Sequence, residues 1–213
     1  MGMSLSIPAQ SAGLPGVPGD GYRPLGWKFR NQEVLMPAYL LLVFAILTRV
    51  VPHHDWFNFT AVGGALLYFG ARRSWREMLA PLAALMVTDY CLTVFAYHYS
   101  FVWTAYVTTW AWYLAVMVLG RILLKSRTTW LRVGAGVVLG PTSFFLVSNY
   151  AVWVGGNMYP HTLAGLAACY AAAVPFYRND LLSTAIVAGL AFGLPVLLRR
   201  TRLDHTASTV EAR

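Results

Sequence analysis

The chain has 213 residues, of which 58% are hydrophobic and 11% charged, with a formal net charge of +8 and a mean hydropathy of +0.55. A water-soluble domain usually carries about twice that share of charge, so the composition predicts an integral membrane protein. The basic residues lie in clusters between apolar runs and do not form the aromatic-interleaved patch that binds a phosphate backbone. We therefore predict no nucleic-acid partner.

The apolar runs predict an all-α, polytopic membrane protein with six transmembrane helices. Each crossing of a hydrocarbon core of about 30 Å needs about 20 helical residues. Residues 1–33 are rich in Pro, Gly and Ser and are predicted to be a flexible tail, residues 34–200 the transmembrane domain, and residues 201–213 a second tail. The spans are predicted at 36–52, 58–71, 78–98, 101–124, 129–154 and 179–198, the second being short.

The apolar segment 161–177 precedes the last predicted span. It is short, it has Pro175 near its end, and counting it as a seventh crossing would move the cluster at 199–202 to the other side. We therefore predict a short re-entrant or interfacial helix here. Irregular backbone at membrane depth is tolerated only where protein buries it or a wet cavity adjoins it.

Basic clusters predict the orientation of the bundle. All four clusters fall on one side of the six-span arrangement, and the positive-inside rule assigns that side to the cytoplasm, so both termini are predicted to be cytoplasmic. The clusters are Arg23, Lys28 and Arg30; Arg72, Arg73 and Arg76; Arg121, Lys125, Arg127 and Arg132; and Arg199, Arg200 and Arg202.

Asp89 is the most informative residue because it lies near the middle of the third predicted span. An ionised carboxylate at mid-bilayer costs about 2.5 kcal/mol or more and normally faces a bundle interior or water. No lysine or arginine lies in a span at comparable depth, since Arg49 and Arg178 are near the outer ends. Two interpretations stay open: a ligand, ion or proton site, or a structural acid bonded to a neighbouring Tyr, Asn or Arg.

Polar and aromatic residues collect in the outer half of the spans and in the adjoining connections, which predicts an outward-facing pocket. In this interpretation Asp89 and Asn149 hydrogen-bond a small-molecule ligand, and aromatic rings pack against its flat part. The predicted substrate-binding residues are Asn58, Asp89, Tyr90, Asn149, Trp153, Tyr159, His161 and Tyr170.

Other chemistry finds little support in the sequence. Cys91 and Cys169 are predicted to be two buried thiols, and Cys91 points about 200° away from Asp89 around a helix. The run 53–55 (His-His-Asp) lacks the i, i+4 spacing that converges metal ligands, so we predict no metal and no cofactor. The sequence has no nucleophile elbow, phosphate loop or HExxH motif, so we predict that it is not an enzyme.

Three segments carry a resemblance to a known family. WFNFTAVGGALLYFGA, APLAALMVTDY and FFLVSNYAVWVGGNMYPHTLAGLAACYAAAVPFYRNDLLST resemble the DUF6580 family of bacterial membrane proteins. The resemblance covers about Arg49 to Leu198, and that family is in turn similar to the substrate-binding S-components of energy-coupling factor vitamin transporters.

The resemblance implies an S-component-like bundle in the bacterial cytoplasmic membrane that captures a vitamin-like small molecule at its outer face. It also implies partners: a transmembrane coupling subunit and paired ATPases, since this chain has no phosphate loop. One feature departs from the pattern, because the first helix has Ala38 and Ala45 seven apart instead of an AxxxA motif. The alternatives are a solitary cobalamin-type transporter that uses Cys91, and a non-transporting membrane scaffold.

Overall fold

A computed structural model describes the backbone of residues 26–50 and 58–211 and the side chains of residues 36–50 and 58–197. Within these ranges the chain is all-helical, as predicted. The six α-helices are α1 (Gly26–Val50), α2 (Val62–Arg72), α3 (Leu79–Cys91), α4 (Trp103–Leu124), α5 (Trp130–Gly155) and α6 (Leu163–Glu211). A 3₁₀ turn, Arg76–Met78, leads into α3, and a π-helical turn, Leu92–Ala96, follows it. The tail residues 1–25 and the run 53–55 lie outside the described residues.

The last helix differs from the prediction. The segments predicted at 161–177 and 179–198 do not form an interfacial helix and a separate span, because residues 163–198 belong to the continuous helix α6. Thr162 caps this helix, since its hydroxyl accepts a hydrogen bond from the Gly165 N–H at 3.1 Å. The helix passes Pro175 without a break and continues to Glu211, within the predicted C-terminal tail, as α1 begins within the predicted N-terminal one.

Four helical stretches are long and apolar enough to cross a membrane: Arg76–Ala96, Trp103–Leu124, Trp130–Gly155 and Leu163–Leu197. Apolar residues that cover their outward faces are exposed, as expected of surfaces that contact lipid. The apolar part of α1, Met36–Val50, is shorter. The structure thus indicates a membrane-embedded protein, with four helices of spanning length among the described residues instead of the six predicted.

Helix α2 is the centre of the bundle. Its 11 residues extend only about 16 Å, and Val62 to Ala71 are all buried between α1, α4, α5 and α6. Glycines allow this close packing: a Cβ at Gly70 would overlap the carbonyl oxygen of Met117, and a Cβ at Gly120 would overlap the carbonyl oxygen of Leu67. The backbones of α2 and α4 are therefore in direct contact, as small residues permit in membrane bundles.

The two ends of the bundle differ in charge. At one end, called the basic end, lie the short connections 73–78 and 125–129 with their flanking arginines. Here Arg121 donates to the carbonyl of Arg73 at 2.7 Å and Arg132 donates to the carbonyl of Leu123 at 3.1 Å, so both helix C-termini are capped. The other end, called the aromatic end, carries the connections 97–102 and 156–162, and the connection 58–61 leads inward from this side to the start of α2.

The contact between α2 and α4 gives a first prediction. Gly70→Ala should lower the free energy of unfolding by about 1–3 kcal/mol, because its methyl group has no space and the backbones must separate. Gly134→Ala on α5 is the matched control, since a Cβ there meets nothing within 4 Å. Its effect should be neutral, or stabilising by up to about 1 kcal/mol from helix propensity. Thermal unfolding in detergent measures both, and equal melting temperatures for the two variants would contradict the packing described.

Candidate functional site

Two adjoining cavities open between the helices above the start of α2. The larger, called the Asn149 cavity, has a volume of about 330 Å³ and lies between α5, α6 and the connection 156–162. The smaller, called the Asp89 cavity, has a volume of about 250 Å³ and lies between α4 and the facing ends of α1 and α2. Asn58, Phe144 and Asp180 line both cavities, so the two adjoin along these residues, and we call them the joined cavities. Their volumes lie near the lower limit for small-molecule sites.

The carboxylate of Asp89 is almost fully enclosed, with only 2% of the residue exposed. Arg49 Nη2 donates to its Oδ1, and Trp110 Nε1 donates to its Oδ2 at 2.9 Å. The Tyr113 hydroxyl lies 3.4 Å from the same Oδ2 and accepts a hydrogen bond from Arg49 Nη1 at 2.9 Å. Asp89 is therefore the anion of a closed ion pair, in which both carboxylate oxygens already accept hydrogen bonds. Asp89 also belongs to the lining of the Asp89 cavity.

This pair corrects the prediction that Asp89 has no basic residue at its depth. Arg49 lies one residue before the end of α1, but its long side chain extends back into the bundle to reach α3. Counting residues along a helix gives the depth of the Arg49 Cα, which is near the outer end. The guanidinium can lie at a different depth, because the arginine side chain is long and flexible. The interpretation of Asp89 as a structural acid is thus the one that its contacts favour.

A polar and aromatic layer supports the Asp89 segment from α4. Thr93, in the π-helical turn, donates to the backbone carbonyl of Asp89 at 2.7 Å and also bonds the Tyr106 hydroxyl. The Tyr106 ring stacks on Phe101 and Trp110 at centroid distances of 5.0 and 5.9 Å. Cys91 lies outside the lining of both cavities and is exposed, so only Cys169 is a buried thiol.

Asp180 is the second acid at membrane depth. It lies on α6 and is 8% exposed. The hydrogen bond that the structure gives its carboxylate comes from the Thr184 hydroxyl to Oδ1, and at 3.4 Å it is long. Thr184 in turn lies against Gly63, where a Cβ would overlap its hydroxyl oxygen. Asp180 therefore lines both cavities and also bonds Thr184, which packs on the first turn of α2.

Asp89 and Asp180 lie at a similar depth. Asp89 is about 15 Å along the helix from Leu79, and Asp180 is about 18 Å from Phe192, whose ring contacts the Arg72 guanidinium at the basic end. Both acids are thus near the middle of a core that is about 30 Å thick. We call the layer that contains Asp89 and Asp180 the polar layer, and the N-terminal end of α2 lies in it.

Four of the eight predicted binding residues line the cavities: Asn58, Asp89, Asn149 and Tyr159. Asn149 donates from Nδ2 to the carbonyl of Phe145 at 2.7 Å, and its backbone carbonyl accepts from the Cys169 thiol at 3.5 Å. Asn58 has a left-handed backbone conformation with φ of 59°, which Asn tolerates better than most residues.

The other four predicted residues lie outside the lining of both cavities. Tyr90 is 44% exposed and packs on Phe101. Trp153 Nε1 donates to the carbonyl of Pro160 at 2.9 Å, and its ring packs against His161. Tyr170 donates to the carbonyl of Leu146 at 2.6 Å. The contacts of Trp153 and Tyr170 hold the connection 156–162 and the helix pair α5 and α6 together.

Asp180 was the main residue that the sequence analysis missed. It was placed at the start of a separate span, where an acid is unremarkable, because 161–177 was interpreted as an interfacial helix. A signal was present: Asp180 lies far from both ends of the apolar helical stretch Leu163–Leu197, and Ser183 and Thr184 follow one turn later. Phe144 and Tyr177 of the lining were also missed, since isolated aromatic residues are common in any membrane bundle.

The sequence matches one family model, which covers residues 29–207 and is described as a family of unknown function, DUF6580. The chain belongs to the DUF6580 family. No curated protein and no solved structure matches it. In this DUF6580 protein, the described residues include no group of three or more His, Cys, Asp or Glu side chains that could hold a metal ion.

The ion pair gives a second prediction. Asp89→Leu and Arg49→Met should each lower the free energy of unfolding by about 3 kcal/mol or more, because each leaves a charged partner uncompensated in the bundle. The double variant should recover most of that loss, since no unpaired charge remains. Thermal unfolding in detergent measures the three variants.

Glu77→Gln at the basic end is a suitable control. The Arg73–Glu77 pair there is one turn apart on the surface, with the Glu77 side chain 30% exposed. Such a pair contributes at most about 1 kcal/mol. If Asp89→Leu were no more damaging than Glu77→Gln, the structural role of Asp89 would be refuted.

Proposed function

We propose that this protein binds a small organic molecule in the joined Asn149 and Asp89 cavities and serves as a membrane transporter or as its substrate-binding subunit. The observation that carries the proposal is this pair of adjoining cavities, whose lining combines buried carboxylates, amide groups and aromatic rings. A mostly apolar pocket with few convergent polar groups is the usual form of a small-molecule site.

The short helix α2 supports a transport function. At about 16 Å it is too short to cross the bilayer, so its first turn and the connection 58–61 lie at membrane depth. Irregular backbone at that depth is tolerated where protein encloses it or a cavity adjoins it, and Val62, Thr60 and Asn58 do line the Asp89 cavity. Discontinuous helices that end at a midplane site are a recurring feature of secondary transporters.

The charge distribution supports an outward orientation of the cavity. The basic end carries Arg72, Arg73, Arg76, Lys125 and Arg127, and the positive-inside rule assigns such an end to the cytoplasm. The cavities lie towards the aromatic end, where Asn58 is exposed. In this orientation a ligand enters from outside, and a bacterial cytoplasmic membrane is the proposed location.

The resemblance to S-components suggests two further proposals: a coupling subunit with ATPases as partners, and a vitamin-like ligand. Ala38 and Ala45 of α1 are 0% and 1% exposed and pack inside the bundle, so they offer no docking surface of the AxxxA kind. The cobalamin alternative has less support, because Cys91 lies outside the cavity lining and cavities of about 330 and 250 Å³ are small for a corrinoid.

A scaffold without transport is the second candidate, and the closed Arg49–Asp89 pair favours it. In a scaffold the polar residues only join helices, which describes Asp89, Trp110 and Tyr113 well. It does not account for Asp180, because the hydrogen bond that the structure gives its carboxylate comes from Thr184 of the same helix and joins it to no other helix. We therefore keep transport as the leading function.

A matched pair of serines tests ligand binding. Ser148 and Ser143 both lie on α5 and both donate to a carbonyl one turn earlier, but Ser148 lines the Asn149 cavity and Ser143 is exposed outside it. Ser148→Phe fills the cavity, so a small molecule that co-purifies with the protein should be lost from it. Native mass spectrometry of protein in lipid nanodiscs measures the retained mass.

Ser143→Phe should retain the molecule at the wild-type level, because its ring projects towards lipid. Equal retention by both variants would place the molecule elsewhere and refute binding in this cavity. Absence of any bound molecule from the wild type, after purification from cells grown in rich medium, would favour the scaffold.

A further inference from the structure

We propose that Asp180 binds the positively charged nitrogen of the ligand, so that the substrate class is small organic cations with an ammonium group. This inference rests on the proposed function, because it concerns the charge of the molecule that the joined cavities take. It assigns to Asp180 a part that the sequence analysis gave to Asp89.

The first argument is the burial of an acid without a cation. Asp180 is more than nine-tenths buried, yet among residues 36–50 and 58–197 no lysine or arginine forms an ion pair with it. A carboxylate in this position loses hydration and gains in return one hydrogen bond of 3.4 Å from Thr184. An intramembrane acid with so little compensation is the kind that marks a substrate or ion path.

The second argument is the contrast with Asp89, which lines the same joined cavity. There the guanidinium of Arg49 supplies the opposite charge, and Trp110 and Tyr113 complete the hydrogen bonds. Arg49 is thereby committed to Asp89 and Tyr113 and does not neutralise Asp180. The charged side chains that line the cavities are Arg49, Asp89 and Asp180, so their balance is one negative charge when both acids are ionised.

The third argument is the aromatic lining next to Asp180. Phe144 lines both cavities together with Asp180, Tyr177 and Phe145 line the Asn149 cavity, and Trp112 lines the Asp89 cavity. The faces of such rings attract ammonium groups by cation–π interaction, and the attraction is strongest where water is excluded. An acid surrounded by aromatic rings is thus suited to an organic cation with an apolar body.

An inorganic cation fits the same residues less well. Ca²⁺ takes six to eight oxygen ligands and Mg²⁺ takes a near-ideal octahedron, whereas the described residues contain no cluster of three or more His, Cys, Asp or Glu side chains. The described lining also supplies neutral oxygens, such as those of Asn58, Thr60 and Ser148, but its one other carboxylate is that of Asp89, which Arg49 already pairs. Organic cations need only one carboxylate, since aromatic rings can enclose the remaining surface.

Three probes of nearly equal shape test the charge preference of the wild-type protein. Phenethylammonium, 2-phenylethanol and phenylacetate differ mainly in the charge of one end. We expect the ammonium probe to bind about tenfold or more tightly than the alcohol, as hydrogen bonds to a charged group are stronger than neutral ones, and the carboxylate probe to bind weakest. Isothermal titration calorimetry in nanodiscs measures all three, and this series requires no variant to fold.

Two substitutions of Asp180 then identify the group responsible. Asp180→Asn keeps the shape and removes the charge, so it should abolish the preference for the ammonium probe. Asp180→Glu should retain part of it. If Asp180→Asn instead kept full affinity, the native group would act as a neutral hydrogen-bonding partner, and the proposal would be overturned.

The remaining outcomes also decide the proposal. The proposal would be overturned by equal affinity for the ammonium and alcohol probes, by a preference for phenylacetate, or by absence of ammonium binding. It would also be overturned if millimolar Na⁺ or Ca²⁺ displaced the ammonium probe and bound more tightly. A co-purified molecule that Ser148→Phe removes but that is neutral or anionic would leave the cavity function standing and refute only the cation. Retention of that molecule by Ser148→Phe would refute the cavity function itself.

Discussion

The architecture depends on one constraint: polar groups at membrane depth must be satisfied inside the protein. Helix α2 is too short to reach both faces, so its first turn and the connection before it end within the bilayer thickness. The surrounding helices therefore have to enclose it on every side, and the glycine contacts of Gly63, Gly70 and Gly120 allow them to approach closely enough. The cavities form where α2 stops and the enclosing helices continue.

The bundle contains two acids in its polar layer and stabilises them differently. Asp89 has a cation from α1 and an indole N–H from α4, so it joins three helices and contributes to the fold. Asp180 accepts a hydrogen bond from the Thr184 hydroxyl of its own helix and lines both cavities. A closed ion pair is weak support for function because its partners already satisfy each other. The incompletely compensated acid is the stronger candidate for a ligand contact.

The sequence predicted the helical class, the approximate positions of α3, α4 and α5, and the concentration of polar residues towards one end. These follow from hydrophobicity and from spacing along the chain, which are local properties. The Arg49–Asp89 pair could not be predicted, because it depends on how far a side chain reaches across helices that are 40 residues apart in sequence. The continuity of α6 was missed because the segment 161–177 is short and has Pro175 near its end, whereas in the structure the helix simply continues.

Helix α6 both lines the cavities and packs on α2. The same helix carries Cys169 and Tyr177 of the cavity lining, Asp180 itself, and Thr184, whose hydroxyl contacts both Asp180 and Gly63 of α2. One turn further, Val187 packs on Gly64, where a Cβ would lie 2.7 Å from the Val187 Cβ. The acid that we propose to bind the ligand thus lies one helical turn from the α2–α6 contact. Because α2 also packs against α1, α4 and α5, the polar residues of α6 lie next to the helix that the rest of the bundle encloses.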